Sequence, residues 1–308
     1  IAKALIAMGK NVCLVTDVCS SEVLFECMAA SGVLDLAFTS SGAAPNADSD
    51  LGSEDATTPV VHRLRIESFP EARMGSVASS AHGIEDTAES TLSTRDLDRL
   101  ATLRVWADGA VAIERAGCNA QGDYLTMSGK NMNHLVAPLA EMFFMSQGGG
   151  AEMGHEALVT VAIGDGGNEV GMGSVDVASS AIPNAKDIAC IIPANHLLVS
   201  SASNWGGYAL AAALGILHAS GDDGGGGLGL GLGMVGATGS DRRHSIARCV
   251  PSAEEETAKM EAILLAGARD GVVGKPALNE EAWSVDGMPF STSLHVLREL
   301  TSIALARY

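Results

Sequence analysis

The stretch ALVTVAIGDGGNEVGMG, residues 157–173, decides how this chain is read. Its apolar first half fits a buried β-strand that ends at Asp165. Its second half sets Asp165, Asn168 and Glu169 among glycines, where a strand would hand over to a helix. Counting outward, apolar spacing alternates between helical and strand periods along most of the chain. Helices are expected at AKALIAMGK (2–10), SEVLFECMAASG (21–32), TRDLDRLATLRVW (94–106), NHLVAPLAEMFFMS (133–146), 167–180 and WGGYALAAALGILHAS (205–220). Strands are expected at NVCLVTD (11–17), VLDLAF (33–38), PVVHRLRI (59–66), GAVAIE (109–114), 157–165 and DIACII (187–192). Ser252 and Glu255 are spaced as a capping box for a helix that Gly271 would stop, and 291–308 reads as a closing amphipathic helix with Leu294, Leu297 and Leu300 or Thr301 on one stripe.

Repeated strand, helix, strand order predicts a single α/β domain over 1–308, a three-layer, mostly parallel Rossmann-like sheet with helices on both faces. A polar loop at 39–58 and a flexible glycine-rich insertion at 221–243 interrupt it. In such sheets ligands gather at the carboxyl ends of the strands, which is where Asp165 falls.

Composition narrows the function. Of the 308 residues 47% are apolar, ample for a core, and 37 acidic against 19 basic residues give a formal charge of −18 that repels nucleic acid and anionic membrane surfaces. Eight His and six Cys form no CxxC or HExxH pattern, so neither a zinc site nor a disulfide scaffold is signalled and an intracellular setting is expected. No apolar run approaches the ~20 residues that span a bilayer. Opening on Ile1 within a helical pattern, the chain is expected to lack its true amino terminus.

The glycines of 162–173 do not make a nucleotide loop. From Gly164, G-x-G-x-x-G would put glycine where Glu169 stands, and the residue after Gly166 to Gly171 is Met172 instead of the phosphate-loop lysine, so no nucleotide cofactor is expected. Two carboxylates and an amide beside free amides would instead divide acid and base roles, or bind Mn²⁺ or Mg²⁺ through Asp165 and Glu169.

GDGGNE resembles the magnesium loop GDGxND of haloacid dehalogenase-like phosphatases, but TDVCSS offers Asp17 as nucleophile with Cys19 where a second Asp belongs. A wider resemblance is to the carboxy-terminal domain of the D-glutamate cyclase family. It is carried in order by IERAGCNAQGDYLTMSGKNMNHLVAPLAEMF (113–143), VAIGDGGNEVGMGSV (161–175), SNWGGYALAAAL (203–214), VPSAEEETAKMEAIL (250–264), ARDGVVGK (268–275) and VDGMPFSTSLHVLREL (285–300). The resemblance implies dehydration of D-glutamate to 5-oxo-D-proline, in animals within mitochondria, with a small amino acid as the partner. It does not select between a lone chain, a homo-oligomer and a component of a larger assembly.

That chemistry needs a base for the α-ammonium, a proton for the departing oxygen and groups that hold the two carboxylates of a bent substrate. Asp165, Glu169 and Glu114 are the catalytic candidates; Arg115, Tyr124, Lys130, Asn168 and Asn204 are the substrate-binding candidates. His134 reads as a surface histidine and Trp205 as packing. The family loop reads ERxGRxxDGxYYxxR, and here Cys118, Gln121, Leu125 and Ser128 replace its second Arg, Asp, second Tyr and last Arg. Loss of two guanidiniums, which Lys130 cannot copy as planar forks, leaves a non-catalytic structural or assembly subunit as the alternative.

Overall fold

The computed structural model describes residues 1–34, 64–70, 92–145, 158–221, 237–274 and 282–308. They fall into two compact units, one formed by Ile1–Val15, Glu22–Glu67 and Gly207–Tyr308 and the other by Thr16–Ser21 and Ser68–Gly206. The class is α/β, consistent with the expected three-layer arrangement.

In the first unit, α1 (Ala2–Ala7), β1 (Val12–Asp17), α2 (Ser21–Ala30) and β2 (Leu64–Phe69), apart from Thr16, Asp17, Ser21, Ser68 and Phe69, which fall in the second unit, surround a core of Ile6, Val12, Met28 and Val33. Gly32, at φ +65°, follows the end of α2 at Ala30 and stops the helix. Further helices follow the long α5 (Ser203–Ser220): α6 (Gly239–Cys249), α7 (Ala253–Leu265) and α8 (Phe290–Leu305). Thr238 with Asp241 and Ser252 with Glu255 form capping boxes at the starts of α6 and α7. Met260, Leu264, Trp283, Phe290 and Leu294 pack together around the short hairpin β6 (Ser284–Val285) and β7 (Met288–Pro289). Asp270 ties that hairpin down by accepting from the Ser284 hydroxyl at 2.6 Å and the Gly287 amide at 2.9 Å.

The second unit is built on α3 (Thr94–Trp106), β3 (Gly109–Ile113), β4 (Val159–Gly164), α4 (Ala185–Ile188) and β5 (His196–Val199). The three strands form a parallel sheet in the order β3-β4-β5, with Ile113 opposite Ile163 and Gly164 opposite Val199. Ser93 caps α3 by accepting from the Asp96 amide, and Leu100 and Leu103 are buried. Thr160 and Asn195 exchange hydrogen bonds at 2.8–2.9 Å, which locks the start of β5 beside β4. No described helix is long and apolar enough to cross a membrane.

Several sequence-based assignments are corrected. Residues 167–180 form no helix but a run of turns and isolated bridges. The expected strand 187–192 begins as the end of α4 and continues as an extended loop, and the strand is the following HLLV. The helix expected over 133–146 breaks at Pro138 into a 3₁₀ turn (Asn133–Leu135) and a π-helical turn (Glu141–Met145). Helix α7 ends at Leu265, with Gly267 at φ +97°, short of Gly271. Within the glycine-rich insertion 221–243, residues 239–243 are the first turn of α6. Of the strand expected at 33–38, Val33 and Leu34 are helical and the rest lies outside the described residues, as do the loop 39–58 and positions 59–63.

Candidate active site

The carboxyl ends of β3, β4 and β5 are level, and the backbone keeps them so. The Glu114 amide donates to the Ile163 carbonyl at 2.9 Å and the Ser200 amide to Gly164 at 3.2 Å. Glu114 and Asp165 therefore leave neighbouring strands side by side, and a carboxylate oxygen of each lies within 4.8 Å of the other. Glu114 is exposed and its backbone sits at φ +52°. Among the described residues only two other non-glycines have positive φ, Asn184 and Asp286, whose short side chains are well suited to it. A longer glutamate side chain is less suited to that region, and backbone strain of this kind collects at functional sites.

Asp165 is half-buried. Its Oδ2 accepts from both the amide of Ser203, at 2.9 Å, and the Ser203 hydroxyl, at 3.0 Å. Ser203 opens α5, so the carboxylate faces the positive end of an 18-residue helix.

Glu169 has a different role from Asp165. The loop after β4 doubles back on the segment after β3: Gly117 donates to the Asn168 carbonyl at 2.9 Å and Val170 to that of Arg115 at 2.8 Å. Glu169 lies inside this fold, 4% exposed, accepting from the amides of Gly166 at 2.8 Å and Gly167 at 2.7 Å. Burial pushes its carboxyl above the ordinary range, the Gly166 amide pulls it back, and Asp165 pushes it up again. The glycines serve the same closure. A Cβ on Gly171, at φ +96°, would meet the Ala162 Cβ at 2.2 Å, and one on Gly166 would meet the Met127 sulfur at 2.3 Å. Both glycines let the chain lie against itself.

The other expected residues divide. Arg115 forms a bidentate pair with Asp17, and its Nη2 also donates to the Ala137 carbonyl at 2.6 Å. Asp17 accepts from the Ala137 amide at 2.7 Å as well. The guanidinium thus already holds a carboxylate of its own chain, and Asp17, engaged on both oxygens, is ill placed as a phosphatase nucleophile. No local spacing reveals this partnership across 98 positions. Tyr124 is buried and donates to Glu141; burial first, then Glu141, raises its hydroxyl far above the ordinary value. Cys118, which replaces the family's arginine, is buried beside the same Glu141 and its thiol is pushed up to about 12, chiefly by burial. Asn168 is buried and donates to the Leu125 carbonyl at 2.7 Å. That bond, with Met127 against Gly166, lays the hairpin 124–132 over the glycine loop and leaves Lys130 exposed near its tip. Asn204 sits half-buried in the first turn of α5, His134 is exposed, and Trp205 is half-buried.

Glu114 and Asp165 are thus brought together, whereas Glu169, Asn168, Tyr124 and Arg115 hold the surrounding loops. Comparison with known proteins agrees with the ordered blocks of the sequence. A family model described as D-glutamate cyclase-like, C-terminal, matches residues 1–301. A curated relative, "D-glutamate cyclase, mitochondrial" from Homo sapiens, is 32% identical over 202 residues, 65% of this chain. The aligned region is 30% of that relative's length.

Proposed function

Because the chain belongs to the D-glutamate cyclase-like C-terminal family, we propose that it is a lyase converting D-glutamate to 5-oxo-D-proline and water at the edge where Glu114 and Asp165 meet. The observation that carries this reading is the approach of those two carboxylates, with one of them held at a strained backbone position.

The pair attracts the substrate's α-ammonium, and one member takes its proton. The freed amine attacks the γ-carboxyl carbon, the new C–N bond forms, the nitrogen sheds a second proton, and both protons pass to one γ-oxygen, which leaves as water as its C–O bond breaks. Two adjacent carboxylates suit this traffic, because protonating one relieves the repulsion felt by the other. Glu169, expected from the sequence as an acid or base or as a metal ligand with Asp165, acts in this reading by fixing the Gly166–Gly167 turn beside Asp165. Lys130 and Asn204 are the groups assigned to the substrate's carboxylates, Lys130 as a point charge and Asn204 as a hydrogen-bond donor.

The oxygen donors of Glu114 and Asp165, within 4.8 Å of each other, also fit a hard cation such as Mn²⁺ or Mg²⁺. Bound there, such an ion would polarise the γ-carboxyl. One family model runs through both compact units, which supports treating 1–308 as one α/β domain. The human relative is named as a mitochondrial protein, which supports a mitochondrial setting.

The test is to incubate the purified chain with D-glutamate, with and without Mn²⁺, and to quantify 5-oxoproline by chromatography. Product from D-glutamate that vanishes in Asp165→Asn supports the reading. No product from folded protein under either condition overturns it and favours a structural or assembly role.

A further inference from the structure

We infer that Ser203 is a positioning residue for Asp165, setting which carboxylate oxygen meets the reacting groups; this rests on the reaction proposed above. The side chain is fully buried at the first position of α5. Its amide and its hydroxyl both donate to one oxygen, Oδ2. Two donors on a single oxygen restrict the rotation of the carboxylate and occupy Oδ2, leaving Oδ1 as the oxygen that Ser203 does not engage.

A contact made only to start the helix would look different. At the N-cap positions just before α6 and α7, the hydroxyls of Thr238 and Ser252 accept from amides one turn ahead, at 3.2 and 3.1 Å, the usual capping geometry, a role that Ser203, one position further in, does not take. The Ser203 hydroxyl instead donates outward to a residue 38 positions earlier. Nor does the local turn depend on it. Ser200 closes that turn through its own hydroxyl, donating to the Ala202 carbonyl at 2.6 Å, and the Trp205 amide donates to the same carbonyl at 3.0 Å. The amide of Ser203 alone would tie α5 to β4; the hydroxyl adds orientation.

The experiment compares wild type, Ser203→Ala and Ser203→Thr by D-glutamate turnover, by calorimetric binding of D-glutamate, by melting temperature and by crystal structure. In Ser203→Ala, kcat is expected to fall by about 10- to 100-fold, the loss typical of a misaligned catalytic group. KM, D-glutamate affinity and melting point should change little, and Asp165 should leave its wild-type rotamer while α5 stays in place. Ser203→Thr, which keeps the hydroxyl, should recover most of kcat. Turnover of Ser203→Ala within twofold of wild type overturns the inference, as does an Asp165 carboxylate that has not moved in its crystal structure. If wild type itself makes no product, the cyclase reading falls, and the Asp165 rotamer in Ser203→Ala still decides the positioning role.

Discussion

Replacing Glu114 by glycine should make the protein more stable and less active at once. A non-glycine residue in the left-handed region costs about 1–2 kcal/mol, and glycine returns part of that gain through its greater freedom in the unfolded chain, about 0.5–1 kcal/mol. The strain released is therefore roughly 0.5–1 kcal/mol. The second contribution is charge. Two carboxylates whose oxygens lie within 4.8 Å repel by about 1 kcal/mol in a medium close to water, the appropriate limit for an exposed Glu114. Glu114→Gln removes the repulsion and keeps the strain; Glu114→Gly removes both. Thermal and urea unfolding should then rank Gly above Gln above wild type, with the Gly variant ahead of wild type by about 1.5–2 kcal/mol, or roughly 3–8 °C in melting temperature. Both variants should lose turnover by about 10²- to 10⁴-fold, the usual contribution of a positioned acid or base. A glycine variant no more stable than the glutamine one would show that φ +52° at Glu114 stores no strain. Full turnover in either would remove Glu114 from the chemistry.

Breaking the buried pair of Arg115 and Asp17 by Asp17→Ala leaves a guanidinium without its counter-charge and should cost about 3 kcal/mol in urea unfolding; a loss below 1 kcal/mol would mean the pair is solvated. Glu169 has a folded-state carboxyl held above its unfolded value, so its contribution is complete below the unfolded value and is lost as pH rises through the folded one. Wild type should therefore lose stability relative to Glu169→Gln as pH climbs out of the ordinary carboxylate range, and parallel pH profiles of the two would contradict the burial of that group. Thiol labelling of the native protein should modify Cys19, which is exposed, and spare Cys118 and Cys190, whose thiols burial pushes up to about 12 and about 11. Rapid native labelling of Cys118 would show that the core beside Glu141 is open.

The parts of the fold legible in the sequence are those set by local chemistry. Helix α3 begins where Ser93 and Asp96 cap it, and α7 begins where Ser252 and Glu255 do, because a cap needs only three residues of separation. Strand β4 was legible from an apolar run interrupted only by Thr160. What lay hidden depends on partners far along the chain. Residues 167–180 carry polar and glycine signals that suit a helix start, yet the Glu169 carboxylate turns back to accept from the Gly166 and Gly167 amides, and the amides of Gly171 and Gly173 donate to the Ile192 carbonyl. The same docking takes 190–193 out of the sheet and passes the strand to His196–Val199. At the site, Glu114 and Asp165 were predictable from strand ends alone. The engagement of Arg115 by Asp17 was not, since nothing local links a residue after β3 to one at the end of β1.

The most direct test is a crystal of the wild-type protein soaked with D-glutamate. The account predicts the amino acid bound in a bent form at the carboxyl edge of β3 and β4, its amino nitrogen within hydrogen-bond reach of Glu114 or Asp165. D-glutamate ordered elsewhere on the protein, with those two carboxylates untouched, would contradict it.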